Sequence, residues 1–480
     1  MAGEPRHSYE VAKPQEDGNW WTCCENNATN AWNLNASNGN LNNNNNNKYN
    51  QNDCRAVAAS DGFSEFYASI LYAYYDCLRG KMNSPQAVEY MQIAAEDLPR
   101  LARELWEGTY TPGTSTCFLV HYPKLREVFA ANFRDRIVHH WICLRLEPLF
   151  EQRFESMGDV TFNCRKGFGT ERCVSHFVEG ARLVSDSYRR VAWSFKGDIV
   201  GFFMAIDKEL LWYLLERFIT RWRKRYEREG WCRITPGLLD RLKMDEMPVM
   251  YWDILLMATR TTVMHHPERN CVLNSPVEMW LKLAPNKSLF TCETGEPIGN
   301  LTTQLFANFL MSFFDMYVLY LFRHKQHSYE RFVDDWSCKC EDRDYLIACI
   351  PKMEAFLRDK LRLEMHRDKR YLQPVSHGTP FVGSYIKPGR IYLANRTLAR
   401  FEERVNGFRR MMLERQLSCL DCKRIEQVIN SYLGFCKGKR TYRRRRQLLD
   451  SMGKEFYRYF YIRGHYQSIR TKREYRMLNP

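Results

Sequence analysis

The residues with the clearest chemical potential are the adjacent carboxylates of Phe332-Val333-Asp334-Asp335. Short runs of strand-forming residues flank them, Ser328 to Val333 and Trp336 to Cys340, which predicts a hairpin with the acids at its tip. Neighbouring like charges disfavour folding, and the sequence around them offers no obvious basic partner; a bound cation removes that cost. A third acid, Asp198, closes the strand-like run Arg190 to Asp198. One aspartate at a strand end plus a pair on a hairpin is what a two-metal nucleotidyl transferase needs. Its ions sit roughly 4 Å apart and serve the attacking 3′-oxygen and the departing pyrophosphate. Oxygen-only ligation suits two Mg2+ ions, with Mn2+ as the alternative.

These acids need elements to carry them. Gly62 to Gly108 reads as helical, with Phe66, Ile70, Tyr74 and Leu78 at i+4 spacing. Tyr110 to Phe154 mixes short strands with a helix, and Lys208 to Met257 reads as charged helix containing the basic run Arg221 to Arg225. Gly295 to Asn300 is a Gly/Pro loop entering a helix striped by Leu305, Phe309, Phe313 and Tyr317. The apolar run Leu305 to Phe322 approaches membrane-span length, but Asn308, Ser312 and Asp315 interrupt it, so a buried core helix is expected and no membrane partner. Leu361 to His366 is strand-like, and helices dominate from Thr397 onward. Asn26 to Asn52 is Asn-rich low complexity; disorder is the default reading, and polar ladders between copies in a homo-oligomer are the alternative. The segmentation is 1–54 Asn-rich segment, 55–189 N-terminal helices with short strands, 190–390 the acid-bearing region with a helical insertion at about 208–290, and 391–480 basic helical region and tail.

The 480 residues suffice for a large core, and the formal charge is +15. From Ile391 to Pro480 there are 22 Lys+Arg against 8 Asp+Glu, so nearly all the excess sits there. Such a block points to a polyanion, with nucleic acid the first candidate. Arg443, Arg444, Arg445 and Arg446 run together without acids, and Tyr442, Tyr457, Tyr459, Tyr461, Tyr466 and Tyr475 interleave stacking surface, as RNA binders do. The 17 scattered cysteines and a charged Met1 to Gly18 without an apolar core predict reduced thiols and a cytoplasmic location. Cys419-x-x-Cys422 and Cys338-x-Cys340 lack a second pair at finger-like spacing, which argues against structural zinc. Asn27-Ala28-Thr29 fits a glycosylation sequon that such a location leaves unused.

With Asp198, the loop Gly295-Glu296-Pro297-Ile298-Gly299-Asn300-Leu301-Thr302-Thr303-Gln304 and Asp334-Asp335 in that order, residues 95–450 resemble reverse transcriptases. The loop is similar to that of the branch related to diversity-generating retroelements. So are Arg134-Asp135-Arg136-Ile137-Val138-His139-His140, Cys164-Arg165-Lys166-Gly167-Phe168-Gly169-Thr170 and Asn430-Ser431-Tyr432-Leu433-Gly434. The long segment between Asp198 and Gly295 and the Asn-rich N-terminus resemble bacterial reverse transcriptases of the unassigned and defence-associated groups.

The resemblance implies a helix-rich α+β right-hand polymerase of fingers, palm with antiparallel sheet, and helical thumb. Asp198, Asp334 and Asp335 would hold the metals, with the Ile199 carbonyl a further ligand. Lys369 would protonate the leaving pyrophosphate, with Lys360 and Lys352 as competitors. Lys124 and Arg126 would grip the triphosphate, and Phe203 would exclude a 2′-hydroxyl. Pro297 and Gly299 would line the nascent base pair, with Ile298, where a polar residue is usual, altering base selection. Arg165, Lys166, Thr302, Thr303 and Gln304 would meet the template, and Gly383, in the hairpin Phe381 to Tyr385, the primer. The expected substrates are dNTPs, the product DNA, and the partner a non-coding RNA serving as template and scaffold in anti-phage defence. The alternatives are an error-prone diversity-generating retroelement enzyme and a catalytically silent RNA-binding scaffold.

Overall fold

The computed structural model describes residues 19–25, 30–35, 41–47, 62–121, 124–230 and 236–476. The segment Met1 to Gly18 and the sequon Asn27-Ala28-Thr29 lie outside them. The chain begins with strands β1 (Asn19–Glu25), β2 (Asn30–Asn35) and β3 (Leu41–Asn47), then α1 (Phe63–Leu78), α2 (Pro85–Glu107), β4 (Ser115–Val120), β5 (Arg126–Ala130) and α3 (Phe133–Ser156). Next come α4 (Thr170–Val184), β6 (Trp193–Gly197), α5 (Phe202–Ala205), α6 (Lys208–Glu229), α7 (Pro236–Leu242), α8 (Trp252–Val263), β7 (Cys271–Leu273), α9 (Val277–Trp280) and α10 (Leu301–Phe322). Then follow β8 (His327–Phe332), β9 (Asp335–Cys340), α11 (Arg343–Leu361), β10 (Tyr371–Pro374), β11 (Thr379–Phe381), β12 (Ser384–Lys387) and β13 (Arg390–Leu393). The end is α12 (Asn395–Glu414), α13 (Cys419–Phe435), α14 (Tyr442–Asp450), α15 (Lys454–Tyr459), β14 (Phe460–Arg463) and β15 (Ser468–Thr471). The protein is thus helix-rich α+β with mainly antiparallel sheets.

Two compact units emerge, residues 1–156 with 201–311, and residues 157–200 with 312–480. This division differs from the sequence-based segmentation because strand pairing joins distant segments. β6 pairs with β9 and β10, which ties 193–197 to the second half of the chain.

In the first unit the described stretches 19–25, 30–35 and 41–47 form an antiparallel β1-β2-β3 sheet, so the parts of the Asn-rich segment in β2 and β3 are strands. Helices α1, α2 and α3 share a core around Phe66, Leu101, Leu105 and Trp141, all buried. Pro85 at the first turn and left-handed Gly108 at the end delimit α2. Asp207 caps α6 by accepting a hydrogen bond from the Leu210 amide at 2.8 Å, a structural role for this acid. The basic run on α6 is largely offset: Arg223 pairs with Glu227 and Asp253, and Arg225 with Glu229.

In the second unit a four-stranded sheet has the order β10-β6-β9-β8. Strands β6, β8 and β9 are largely buried on both faces, with Phe195, Tyr329, Trp336 and Cys338 nearly inaccessible, and the edge strand β10 is only half-buried. Helix α4 lies along β8, and α11, capped by Asp342 through the Tyr345 amide at 2.9 Å, lies against β6 and β9. Leu361 to His366 is not a strand: Leu361 ends α11, left-handed Arg362 follows, and the sheet's added strand is β10. The C-terminal helices surround a core of Phe401, Val405, Ile429, Leu449 and Phe456. They end in the β14-β15 ribbon, a strand pair within the region where the sequence has helices dominant from Thr397 onward. Helix α10 is long and apolar enough to cross a membrane, yet 67% of its apolar window is buried in protein, which makes it a core helix.

Candidate active site

The hairpin expected around Asp334-Asp335 is present as β8-β9, with Phe332 and Asp335 as its last paired residues. On the other side of β9, Gly197 of β6 faces Trp336, so one further step along the antiparallel ladder sets Asp198 beside Asp335. Gly197 is required here, because a Cβ would lie 2.4 Å from the Trp336 ring. Beyond the strand, the His366 amide donates to the Asp198 carbonyl at 2.8 Å, and Ile199 bridges Met365. All three aspartates therefore stand at one end of one sheet.

Two lysines accompany them. The Lys369 ammonium donates to Asp198 Oδ2 at 2.8 Å. The Lys196 ammonium lies 3.0 Å from Asp335 Oδ1. Lys196 faces Ser337 in the ladder, so its reach to Asp335 is the diagonal cross-strand contact. This corrects the expectation that the aspartate pair lacks a basic partner; the partner comes from a strand some 140 residues away, which local sequence does not reveal. The Lys196 contact is an ion pair by distance without hydrogen-bond alignment, so Asp335 Oδ1 is buried with no aligned donor, as is Asp198 Oδ1. Burial pushes the Asp335 carboxyl up to about 7; Lys196 pulls it down, and Asp334 and Asp198 add to the rise.

Among the described residues no three His, Cys, Asp or Glu side chains converge to metal-ligand distance. The donor set nevertheless suits a hard divalent cation: carboxylate oxygens only, two of them buried without an aligned donor, and two ammonium groups holding the charge a metal would neutralise. Of the three lysines weighed as proton donor, Lys369 is the one that bonds to Asp198.

Other expected residues of this unit are placed differently. Arg165 is buried: it donates to Asp159 at 2.5 Å and to the Thr161 carbonyl at 2.8 Å, with its guanidinium 3.8 Å from the Phe168 ring centre. It is therefore a support residue and not a surface for template, whereas Lys166 is exposed. Gly383 is exposed at φ +69° in the β11-β12 turn, and its Cβ position lies 3.0 Å from the Phe435 ring. Arg443, Arg444 and Arg446 are exposed on α14, but Arg445 turns inward and donates to the Tyr466 carbonyl at 2.7 Å. Asn430, of the run Asn430 to Gly434, donates to the Ile469 carbonyl at 3.0 Å and accepts from the Ile469 amide at 2.8 Å, docking the terminal ribbon on α13. Cys338, Cys340 and Cys422 are buried thiols outside any disulfide.

The remaining expected residues belong to the first unit. Lys124 and Arg126 are exposed at the start of β5. Phe202 is buried and Phe203 half-buried, and the Phe203 carbonyl accepts from the Glu296 amide at 2.8 Å, tying it to the loop. Within that loop Pro297, Thr302 and Thr303 are buried, which removes both threonines from direct template contact; Gln304 is exposed. Ile298 is half-buried and packs on the Cys117, Phe129, Met204 and Leu289 cluster. Gly299 is needed because a Cβ would lie 2.3 Å from the Phe129 carbonyl, beside the 2.8 Å hydrogen bond from the Phe129 amide to the Ile298 carbonyl. In the finger-like motif Arg134 pairs with Asp97 and Glu104, and Asp135 accepts from Tyr110. The motif thus fastens α3 to its neighbours.

No protein-family model matches the chain. Over 152 residues it is 29% identical to Protein YkfC of Escherichia coli (strain K12), a stretch covering 30% of this chain and 37% of that protein. Among solved structures, telomerase from Candida albicans in complex with a TWJ fragment of telomeric RNA aligns over 73% of this chain and 60% of that one, at 10% identity and TM-score 0.40. Apo telomerase from Candida tropicalis aligns over 72% and 62%, at 10% identity and TM-score 0.40. The chain thus spans less than two thirds of the length of each of these proteins.

Proposed function

We propose that the chain is an RNA-directed DNA polymerase. The observation that carries this reading is the placement of Asp198, Asp334 and Asp335 at one end of the β6-β9-β8 ladder, with a carboxylate oxygen of Asp198 and one of Asp335 buried without an aligned donor. The motif order that resembles reverse transcriptases supports it independently. Asp198, Asp334, Asp335 and the Ile199 carbonyl would hold two Mg2+ ions, which when bound supply charge for the attacking and leaving oxygens. A 3′-hydroxyl, or a protein hydroxyl, loses its proton to solvent as its oxygen bonds to the α-phosphorus of a dNTP, while the α–β bridging P–O bond breaks and pyrophosphate departs. Lys369, freed from Asp198, delivers a proton to the pyrophosphate oxygen. Phe203 selects deoxyribose, Lys124 and Arg126 hold the triphosphate, and exposed Arg443, Arg444 and Arg446 hold RNA. We place the activity in the bacterial cytoplasm, copying a partner non-coding RNA in anti-phage defence.

The test is incorporation of labelled deoxynucleotides by purified protein with its co-purifying RNA, beside Asp334→Ala/Asp335→Ala. Aspartate-dependent, RNase-sensitive product is expected, and its sequence names the template. RNA bound by the intact protein with no product under any divalent ion would overturn the enzyme reading in favour of a scaffold.

A further inference from the structure

The turn that carries the two aspartates is held in an uncommon backbone state. Val333, a β-branched residue, has φ +61°, the left-handed region such residues avoid. Conformations of this kind persist only where their surroundings over-determine them. Both backbone polar groups of Val333 are gripped by side chains. Its amide donates to Asn163 Oδ1 at 2.9 Å. Its carbonyl accepts from an Arg331 guanidinium nitrogen at 3.0 Å.

Each grip is itself fixed. Asn163 ends a strap, residues 160–163, that runs along the outer edge of β8: the Arg331 amide donates to the Val160 carbonyl at 2.8 Å, and the Phe162 amide donates to the Arg331 carbonyl at 3.0 Å. Thr161 and Arg331 form a parallel bridge, so the strap acts as a short added strand. Arg165 closes it from outside through the Thr161 carbonyl. On the other side, the Arg331 guanidinium makes a two-pronged contact with Asp315 at 2.7 Å for each prong, and the Tyr329 hydroxyl donates to the same carboxylate at 2.7 Å. Asp315 and Arg331 are fully buried. An ion pair would satisfy itself without reaching Val333; the third guanidinium contact is spent on the turn.

We propose that Asn163 and the Asp315–Arg331 pair are positioning residues: together they impose the left-handed Val333 and so fix where Asp334 and Asp335 present their carboxylates to metal. This rests on the polymerase reading for its purpose, but not for its measurement. Supports of metal ligands typically change metal affinity or activity by roughly 10–100-fold when removed. Asn163→Ala removes one grip and leaves a Val that relaxes toward negative φ. Val333→Gly removes the reason to relax, because glycine occupies the left-handed region freely.

The experiment compares wild type, Asn163→Ala, Val333→Gly and the double variant by Mn2+ titration followed through water-proton relaxation, by nucleotide incorporation against Mg2+ concentration, and by thermal melting. The expected result is that Asn163→Ala weakens aspartate-dependent Mn2+ binding by about tenfold and raises the Mg2+ requirement alike. The melting temperature should stay within a few degrees of wild type. In the Val333→Gly background the same substitution should cost much less. Arg331→Lys, which keeps the charge but cannot span Asp315 and Val333 together, should reproduce the Asn163→Ala effect. Unchanged Mn2+ affinity in Asn163→Ala, or an equal loss in both backgrounds, overturns the proposal. Wild-type protein that binds Mn2+ through its aspartates yet incorporates nothing overturns the polymerase reading alone, and the Mn2+ titrations then decide on the strap.

Discussion

Replacing Lys196 with methionine isolates the electrostatics of the aspartate site. The side chain keeps most of its apolar stem, one atom shorter, and loses the ammonium group with its charge. In the wild type that charge stands 3.0 Å from Asp335 Oδ1, with 14% of the lysine and 25% of the aspartate side chain exposed. At an effective dielectric of about 20, unit charges at such a distance attract by roughly 5 kcal/mol. Partial exposure and the imperfect alignment screen this strongly, toward about 1–2 kcal/mol. Lys196→Met should therefore lower the melting temperature in EDTA by about 2–6 °C. Its distinguishing feature is the response to metal. A divalent ion neutralises Asp335 whether or not Lys196 is present, and in the variant it no longer competes with an ammonium. Ligand at about ten times its dissociation constant adds roughly 1.4 kcal/mol, so millimolar Mg2+ should restore most of the loss and stabilise the variant more than the wild type. Thermal melting across a Mg2+ series reads both quantities. A deficit that persists unchanged at saturating Mg2+, or no deficit in EDTA, would refute the view that Lys196 holds the charge of a metal site.

Glu296 gives a pH test away from the aspartates. Burial pushes its carboxyl up to about 8, against the pull of the Lys208 charge and the Thr303 hydroxyl, and its Oε1 has no partner. The folded state then holds a proton that the unfolded state releases above about 4.5, so this group's stability is complete below that pH and is lost as pH rises toward 8, by at most roughly 1.4 kcal/mol per unit. Glu296→Gln should raise the melting temperature at pH 8.5 and matter little at pH 5; a pH-independent difference would count against the assignment. Gly299→Ala places a Cβ 2.3 Å from the Phe129 carbonyl at φ +130°, and should cost about 3 kcal/mol or more in urea unfolding. Combined Arg443→Ala, Arg444→Ala and Arg446→Ala should flatten the salt dependence of RNA binding, by about 2 in log–log slope if each meets a phosphate. Arg445→Ala should instead lower stability, measured by melting, with little change in that slope.

How much of this was legible depends on the range of the interaction. The β8-β9 hairpin was visible because two strand-forming runs bracket two residues that cannot both be buried. Helix α10 was visible because its apolar stripes recur at helical spacing. Lys196 as the partner of Asp335 was not, because it depends on the register between strands far apart in sequence: Lys196 faces Ser337, and only that pairing sets its reach. Arg165 carried the residue type of a nucleic-acid contact, and nothing in its type reveals that Asp159 and Thr161 turn it inward. Thr302 and Thr303 looked available until the helix they open buried them. The terminal ribbon was missed because Phe460–Arg463 and Ser468–Thr471 are four-residue strands whose pairing is secured from outside, by Asn430 on α13. The Asn-rich strands run against asparagine's poor strand propensity, so composition favoured disorder there.

The polar interior of the hairpin explains why its tip can be a site at all. A strand buried on both faces would ordinarily be apolar throughout, yet β8 carries Ser328, Glu330 and Arg331 at almost no exposure. On one face Glu330 pairs with Lys339 of β9, both fully buried; burial alone would raise the Glu330 carboxyl, but Lys339 and then His176 outweigh it and hold it below its ordinary value. On the opposite face Arg331 pairs with Asp315. A one-residue slip of β8 would carry each of these charges to the wrong face and leave it buried without its partner, a loss of roughly 3–5 kcal/mol for every pair broken. An apolar hairpin of the same shape would slip at lower cost. The ion pairs therefore secure the β8-β9 register that sets Asp334 and Asp335 at the tip of the hairpin, which hydrophobic burial alone does not dictate. The same guanidinium that enforces the register reaches on to the Val333 carbonyl, so alignment of the strands and orientation of the turn are determined by a single buried group.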